Sequence, residues 1–239
     1  MSNRAKSWTG LALLAALAAP LGASAADHAR VTRTQTAATL ANAAIELRFS
    51  LGAGQGRLVC IANKLAGRSI DVTADDFAIG LEGREPLRSA DIAFKEASDE
   101  AVPGGRRLVL RHEGKTPGLA LDVIYELGDA DSFARRRLEL TTDKPLELRR
   151  VDAWIAGVAG TCSHQGFGEP VFLDDTFWGL EFPAAHNHYA EGQVRLTQHP
   201  GRTVQGQWTS KSAVVGVAEK DRVQPRFRRY VETFQATPK

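Results

Sequence analysis

The residues with the greatest capacity for chemistry lie in one stretch, residues 166–189, which reads GFGEPVFLDDTFWGLEFPAAHNHY. It combines carboxylates, an amide, imidazoles and six aromatic rings with glycine, proline and alanine breakers. Flat aromatic faces suit the C–H side of a sugar, and carboxylate or amide groups bind and orient its hydroxyls. The stretch therefore predicts a sugar-facing loop. Its predicted ligand-binding residues are Asp174, Asp175, Trp178, Glu181, His186, Asn187 and His188.

Each of these residue types also has a structural interpretation. Phe172, Phe177 and Phe182 fit core positions better than a binding surface. Asp174 and Asp175 can serve simply to turn the chain, because aspartate is common in turns. For Asp175, Trp178 and Glu181 the binding role and the structural role both stay open. His186, Asn187 and His188 are predicted to form a polar loop at the edge of the site.

The stretch contains no self-sufficient catalytic arrangement. Glycoside hydrolysis needs two carboxyl groups roughly 5–10 Å apart. Adjacent residues of a strand point to opposite faces, so Asp174 and Asp175 are poorly arranged as that pair. We therefore predict no catalytic residue. The enzymatic alternative is an aldose epimerase or a degenerate glycosidase that uses Glu181 or Asp175 with His186 or His188.

A metal site is not expected either. In an extended segment His186 and His188 would share one face, which is a geometry that some metal sites use. A third ligand would have to come from His164, His199 or the aspartates, and none of them stands at a diagnostic spacing. We predict no metal and no cofactor.

The N-terminus has the pattern of a secretory signal. Arg4 and Lys6 precede an apolar run at residues 11–21, and small residues at positions 23–25 suit a cleavage site. The apolar run is shorter than the roughly 20 residues that a membrane-spanning helix needs. We therefore predict a cleaved signal peptide at residues 1–25, a periplasmic or secreted location, and no membrane anchor.

The charge of the mature chain does not indicate a partner that binds mainly through charge. Removal of residues 1–25 takes away two basic residues and no acid, so the formal net charge falls from +2 to 0. A neutral surface gives no argument for nucleic acid or for anionic lipid. The run Arg135–Arg137 lies in a strand-like stretch, where its side chains would alternate between faces, and we predict a solvated sheet face there.

Two cysteines, Cys60 and Cys162, are candidates for a disulfide. In an oxidising compartment they could pair, and the closed loop of about a hundred residues would contribute up to roughly 4–5 kcal/mol. The alternative is two separate thiols in strands. The sequence leaves both open.

A period of two dominates the remaining sequence and predicts strands. Ile45, Leu47 and Phe49 alternate with polar residues, and glycine- or proline-containing turns separate many such segments. Near the C-terminus, Phe227 and Tyr230 recur at helical spacing, and their apolar stripe should pack on a sheet edge or on a neighbouring domain. We predict one all-β domain over residues 26–239, a two-layer antiparallel sandwich with one short C-terminal helix.

Several sequence segments resemble galactose-mutarotase-like β-supersandwich domains. LANAAIELRF at residues 40–49 and LAGRS at residues 65–69 are similar to the first strands of such domains, which carry an N-x-x-[VIL]-E-[VIL] pattern. Five further segments resemble the later part of such domains. They are GFGEPV at residues 166–171, FWGLEFPAA at residues 177–185, HPG at residues 199–201, KSAVVGVA at residues 211–218 and FRRY at residues 227–230.

The resemblance implies a sandwich of the kind that precedes a catalytic (β/α)-barrel in α-galactosidase-like retaining glycoside hydrolases. The barrel of those enzymes carries the nucleophile and the acid/base residue, and this sequence ends where a barrel would begin. We therefore expect an exported carbohydrate-binding or accessory domain. Its expected partners are a carbohydrate and, through the C-terminal helix, a barrel domain or a second chain. A third hypothesis is a severed structural domain of a larger hydrolase.

Overall fold

The computed structural model describes residues 28–52, 54–115 and 118–235. The predicted signal peptide at residues 1–25 lies outside the described residues. Two antiparallel sheets and one C-terminal helix account for the regular structure, apart from one turn of 3-10 helix at Ser89–Asp91. The predicted all-β sandwich with a short C-terminal helix is thereby confirmed.

The smaller sheet has five strands in sequence order, each antiparallel to the next. They are β1 (Arg30–Arg33), β2 (Ala37–Ala41), β3 (Ile45–Ser50), β4 (Arg57–Asn63) and β5 (Arg68–Asp71). In β3 the predicted alternation is confirmed, because Ile45, Leu47 and Phe49 are buried while the residues between them are not. This face of the sheet forms one side of the main core.

The larger sheet contains thirteen strands among the described residues. They are β6 (Ala74–Leu81), β7 (Leu87–Arg88), β8 (Ile92–Val102), β9 (Gly105–Gly114), β10 (Leu119–Gly128), β11 (Phe133–Gly157), β12 (Cys162–His164), β13 (Val171–Leu173), β14 (Thr176–Leu180), β15 (His186–Ala190), β16 (Gln193–Gln198), β17 (Arg202–Thr209) and β18 (Ala213–Val217).

Strand β11 organises the larger sheet. It is 25 residues long and pairs with β10, β18, β17, β16 and β6 along its length. Register shifts interrupt its pairing near Thr142 and Asp152. Irregularities of this kind bend a strand and increase its twist. One strand can therefore join several groups of neighbours into a single sheet.

Helix α1 (Val223–Gln235) covers part of the outer face of the larger sheet. Its Phe227 ring contacts Phe172 and Phe177 edge-on, with ring centroids 5.5 and 5.3 Å apart. Tyr230 is buried and packs edge-on against Phe133 at 4.7 Å. The predicted apolar stripe thus packs on the outer face of the chain's own larger sheet and not at a sheet edge.

Arg136 corrects the prediction of a solvated arginine run on β11. Its side chain is only 2% exposed, whereas those of Arg135 and Arg137 are part-exposed and pair with glutamates. The buried guanidinium donates to the Ala153 carbonyl and to the Tyr125 hydroxyl. The prediction failed because it considered only the local alternation of the strand and not what covers its inner face.

A buried carboxylate balances this buried cation. Asp75, at the start of β6, lies 3.8 Å from Arg136 and accepts hydrogen bonds from Trp154 Nε1 (2.9 Å) and the Tyr125 hydroxyl (3.0 Å). It also accepts from the backbone N–H of Leu58 at 2.7 Å. Because Leu58 belongs to the smaller sheet, this cluster ties the two layers together.

The two cysteines do not form a disulfide. Cys60 is buried in β4 of the smaller sheet, and Cys162 is half-buried in β12 of the larger one; both thiols are free. Arg48 Nη1 lies 3.9 Å from Cys60 Sγ, and Cys162 Sγ lies 3.4 Å from the His164 carbonyl oxygen. Of the two sequence-level alternatives, separate thiols in strands is the one observed.

Candidate functional site

Trp178 does not face a ligand. Its side chain is 0% exposed and packs edge-on against Trp154, with ring centroids 5.1 Å apart. The indole Nε1 donates to Thr176 Oγ1 at 3.0 Å, so its one polar atom is satisfied inside the core. The prediction that Trp178 stacks on a sugar is therefore wrong.

The reason is that β14 is covered on both faces. All five of its residues are buried. Trp178 belongs to the main core between the sheets, whereas its neighbour Phe177 belongs to the cluster under helix α1. Alternating side chains of a strand are normally divided between core and solvent, but a helix packed on the outer face buries both sets.

Asp174 and Asp175 lie in the two-residue turn that joins β13 to β14, not within a strand. Asp174 has a left-handed φ of 51°, a conformation that aspartate tolerates better than most residues. Arg68 Nη2 lies 3.2 Å from Asp174 and 2.5 Å from Asp175. The two carboxylates therefore converge on one guanidinium, and the prediction that they point in opposite directions is wrong.

The more buried of the two carboxylates has a structural role. Asp175 is 6% exposed and accepts a hydrogen bond from Asn63 Nδ2 at 2.5 Å. Asn63 also donates to the Ala218 carbonyl, so the contact joins β4 to the segment after β18. Asp174 is exposed and, with Arg68 and Lys220, lines an open cleft of about 340 Å³.

Glu181 is held beneath helix α1. Its carboxylate accepts from Arg135 Nε at 2.6 Å and from the Tyr230 hydroxyl at 2.9 Å. Burial and the neighbouring carboxylate raise the pKa of Tyr230 well above its usual range, so the phenol stays neutral and donates. The carboxylate thus anchors the helix to the sheet.

Asp175 and Glu181 are too far apart to form a hydrolytic pair. They stand at opposite ends of β14, six residues apart. At about 3.3 Å per residue in a strand this separates them by roughly 20 Å. A glycosidase needs a separation of roughly 5–10 Å. These two carboxylates therefore cannot serve as the pair that glycoside hydrolysis needs.

Asn187 is a structural residue of β15. It is 4% exposed; its Oδ1 accepts from the Leu180 N–H at 3.2 Å, and its Nδ2 donates to the Glu169 carbonyl at 2.8 Å. A buried amide with its groups satisfied in this way fixes the backbone around it. Its position does not present the side chain to a ligand.

His186 and His188 flank Asn187 on the exposed face of β15. The prediction of a polar loop here is wrong, because the three residues belong to a strand whose burial pattern alternates at their positions. The two imidazoles are stacked, with ring centroids 6.0 Å apart and planes inclined by 29°. Phe167 pairs with His186 through an isolated β-bridge, and its ring lies 6.4 Å from the His186 ring at 36°.

Together Phe167, His186 and His188 form a row that we call the ring strip. Phe167 is 75% exposed, and no other large hydrophobic side chain among the described residues is exposed. Gly168 follows it with a φ of 74°, and a Cβ at this position would approach the Pro183 carbonyl oxygen to 2.7 Å. Glycine is therefore required for the close turn that presents Phe167.

Polar groups border the ring strip. Exposed Glu169 and His164 approach each other with a 2.7 Å contact between Oε2 and Nε2. Gln165 Oε1 accepts the backbone N–H of Tyr189 at 2.7 Å, which fixes the loop against β15. Sequence reasoning did not select Phe167, although its position between two glycines was a signal of an exposed turn.

Two further features are absent from the described residues. No group of three or more His, Cys, Asp or Glu side chains there is arranged to hold a metal ion. Within the same ranges, no helix has the length and apolar character that crossing a membrane requires.

Comparisons with known proteins identify the fold but no family. No family description matches the sequence, and no curated protein matches it. The GH36 α-galactosidase AgaB from Geobacillus stearothermophilus aligns with 80% of this chain at a TM-score of 0.55 and 9% identity. An α-mannosidase from Enterococcus faecalis aligns with 83% of it at a TM-score of 0.52 and 10% identity.

A third solved structure, YidC from Thermotoga maritima, aligns with 88% of the chain at 12% identity, but at a TM-score of only 0.40. The chain spans 41% of the α-galactosidase, 31% of the α-mannosidase and 58% of YidC. What is shared with the two hydrolases is therefore the fold of a β-sandwich part of a longer protein.

Proposed function

We propose that this chain is an exported accessory domain that binds neutral carbohydrate through the ring strip. The observation that carries the proposal is the row of exposed rings formed by Phe167, His186 and His188, whose neighbouring planes are inclined by 36° and 29°. Neighbouring ring centroids lie 6.4 and 6.0 Å apart, so a glycan that crosses the row can contact more than one ring. Stacking on an aromatic face contributes on the order of 1 kcal/mol per ring.

The groups around the ring strip suit a polar but neutral ligand. Glu169 and His164 offer hydrogen-bonding atoms at its border, and both side chains are exposed. Covering a solvent-exposed phenylalanine with a ligand is favourable, because the apolar surface of the ring is removed from water. Sugar C–H groups provide that cover while the hydroxyls keep contact with water and with the border.

The shared fold supports the accessory role. In the α-galactosidase and the α-mannosidase the corresponding sandwich is part of a longer chain. By analogy, this domain would hold a glycan near a catalytic domain. A catalytic barrel or a second chain at helix α1 would meet its outer face, which carries Arg228 and Arg229, because the apolar stripe is already covered.

Export rests on the N-terminal sequence pattern of residues 1–25. Analysis of the N-terminus of the protein recovered from the periplasm or medium tests it. Recovery of uncleaved protein from the cytoplasm alone would contradict a periplasmic or secreted location.

A glycan array followed by calorimetry tests the carbohydrate proposal. The purified chain is expected to bind at least one neutral glycan, and Phe167→Ala should weaken that binding by about tenfold, the equivalent of one lost stacking contact. The double variant His186→Ala/His188→Ala should weaken it further. His199→Ala is the matched control, because His199 is exposed and lies outside the ring strip.

Two results would overturn the proposal. One is the absence of binding to every glycan on the array. The other is binding that Phe167→Ala leaves unchanged while the variant keeps the melting temperature of the parent chain.

A further inference from the structure

A cavity is lined by residues that are distant in sequence from the ring strip. It has a volume of about 440 Å³ and opens between the β3–β4 turn, the start of β6 and the beginning of β8. Arg57, Asp76, Ser89, Phe94 and His112 contribute side chains of different chemistry to its lining. A volume of this size falls in the range of pockets that bind small molecules.

His112 is the unusual member of the lining. It is 5% exposed, it meets Phe94 edge-on with centroids 5.7 Å apart, and its Nδ1 has no hydrogen-bond partner among the described residues. Burial lowers the pKa of His112, so the ring is neutral near pH 7. An unsatisfied buried nitrogen is rare in native proteins, and a bound water, ion or ligand can supply its missing partner.

Arg57 supplies a positive charge without an ion pair. Its Nη1 donates to the Thr73 carbonyl oxygen at 3.4 Å, and it forms no salt bridge with any described residue. Arginine presents a planar fork of donors that matches a carboxylate. The half-buried position of Arg57 also makes such a contact stronger than it would be in open water.

The carboxylates that line the cavity, Asp75 and Asp76, form hydrogen bonds and ion pairs with other groups of the protein. Both oxygens of Asp75 accept hydrogen bonds in the core, and Arg136 balances its charge. Asp76 Oδ1 accepts from the backbone N–H groups of Phe77 and Ser89, and Oδ2 lies 3.8 Å from Arg88. Asp75 and Asp76 thus each have an arginine of their own nearby, whereas Arg57 is a lining cation that has no carboxylate partner among the described residues.

We propose that this cavity binds a small hydroxylated carboxylate of the size of a sugar acid. The ligand carboxylate would pair with Arg57, its hydroxyl groups would bond to Ser89 and His112, and its C–H face would lie against Phe94. This site shares no residue with the ring strip, and the proposal does not rest on the proposed function.

Calorimetry with D-galacturonate and D-galactose tests the proposal, because the two probes differ only in the carboxylate. Galacturonate is expected to bind at least about tenfold more tightly than galactose. Arg57→Gln should abolish that preference, while Arg57→Lys should keep part of it. Arg202→Gln is the matched control, since Arg202 is an exposed arginine outside the cavity.

A second readout is the ¹⁵N signal of the His112 imidazole, which should shift when galacturonate is added to the parent chain and to Phe167→Ala. The Phe167→Ala arm separates this site from the ring strip. Equal binding of the two sugars, absence of galacturonate binding, or an equal loss in Arg57→Gln and Arg202→Gln would each overturn the proposal.

Discussion

Trp178 Nε1 donates its hydrogen bond to Oγ1 of Thr176, two residues earlier on the same face of β14. The indole thereby enters the core without an unsatisfied polar atom. This arrangement explains how a tryptophan can lie at the centre of the sandwich. It also means that Trp178, the largest aromatic side chain of the 166–189 stretch, does not bind a ligand.

The first prediction concerns the burial of Trp178. Trp178→Ala should lower the free energy of unfolding by about 3–5 kcal/mol, because it leaves a large cavity beside Trp154. Urea denaturation followed by circular dichroism measures this change. Trp178→Phe should cost less and should leave glycan binding unaltered; a well-folded Trp178→Phe variant that fails to bind glycan would contradict the assignment to the core.

The second prediction concerns the buried pair of Asp75 and Arg136. Asp75→Ala should destabilise the chain by about 3–5 kcal/mol, because it leaves the guanidinium buried without its counter-charge. Arg136→Met combined with Asp75→Ala should cost clearly less than the sum of the two single changes. A double-mutant cycle of unfolding free energies provides the test, and strict additivity would show that the two charges do not interact.

The third prediction concerns the pH dependence of stability at His112. Burial lowers the pKa of this residue below its usual value of 6.5. Below that pH the unfolded chain takes up a proton that the folded chain resists, so the contribution of His112 to stability falls as the pH falls. His112→Phe should therefore lose less stability than the parent chain between pH 7 and pH 5.5.

Urea titrations at a series of pH values give that comparison. His199→Ala serves as the control, because His199 is exposed. If His112→Phe and the parent chain show parallel pH profiles, the histidine does not titrate differently in the folded and unfolded states.

The fourth prediction concerns the attachment of helix α1. Tyr230→Phe removes the hydroxyl that donates to Glu181 at 2.9 Å and should cost about 1–2 kcal/mol. The amides of α1 should then exchange with solvent faster, while those of β10 stay protected. Hydrogen exchange measured by mass spectrometry would show this, and unchanged protection of α1 would mean that ring packing alone fixes the helix.

The fifth prediction concerns the thiols. Because Cys60 and Cys162 are unpaired, a reducing agent should not change the melting temperature. Two thiols should titrate in denaturant, and half-buried Cys162 should react before buried Cys60 in the folded chain. A drop in the melting temperature on reduction would instead reveal a cross-link, since a bridge across such a loop contributes about 4–5 kcal/mol.

Local sequence patterns were sufficient for the architecture. Alternation at Ile45, Leu47 and Phe49 predicted a strand with one buried face, and the spacing of Phe227 and Tyr230 predicted the C-terminal helix. The shared face of His186 and His188 was expected only if the segment was extended, and the strand there replaces the predicted polar loop. Such features depend on residues close in the chain, so they can be predicted without knowing the tertiary structure.

The tertiary structure alone decided which chemical groups reach the surface. Trp178 and Arg136 are buried because distant segments cover them, and Asp175 is engaged by Asn63 and Arg68, more than a hundred residues earlier in the chain. Two-sided burial and long-range ion pairs leave no periodic signal, since they depend on which sheet face a helix or a second sheet happens to cover. Residue type alone therefore did not separate the core of the 166–189 stretch from its exposed rings.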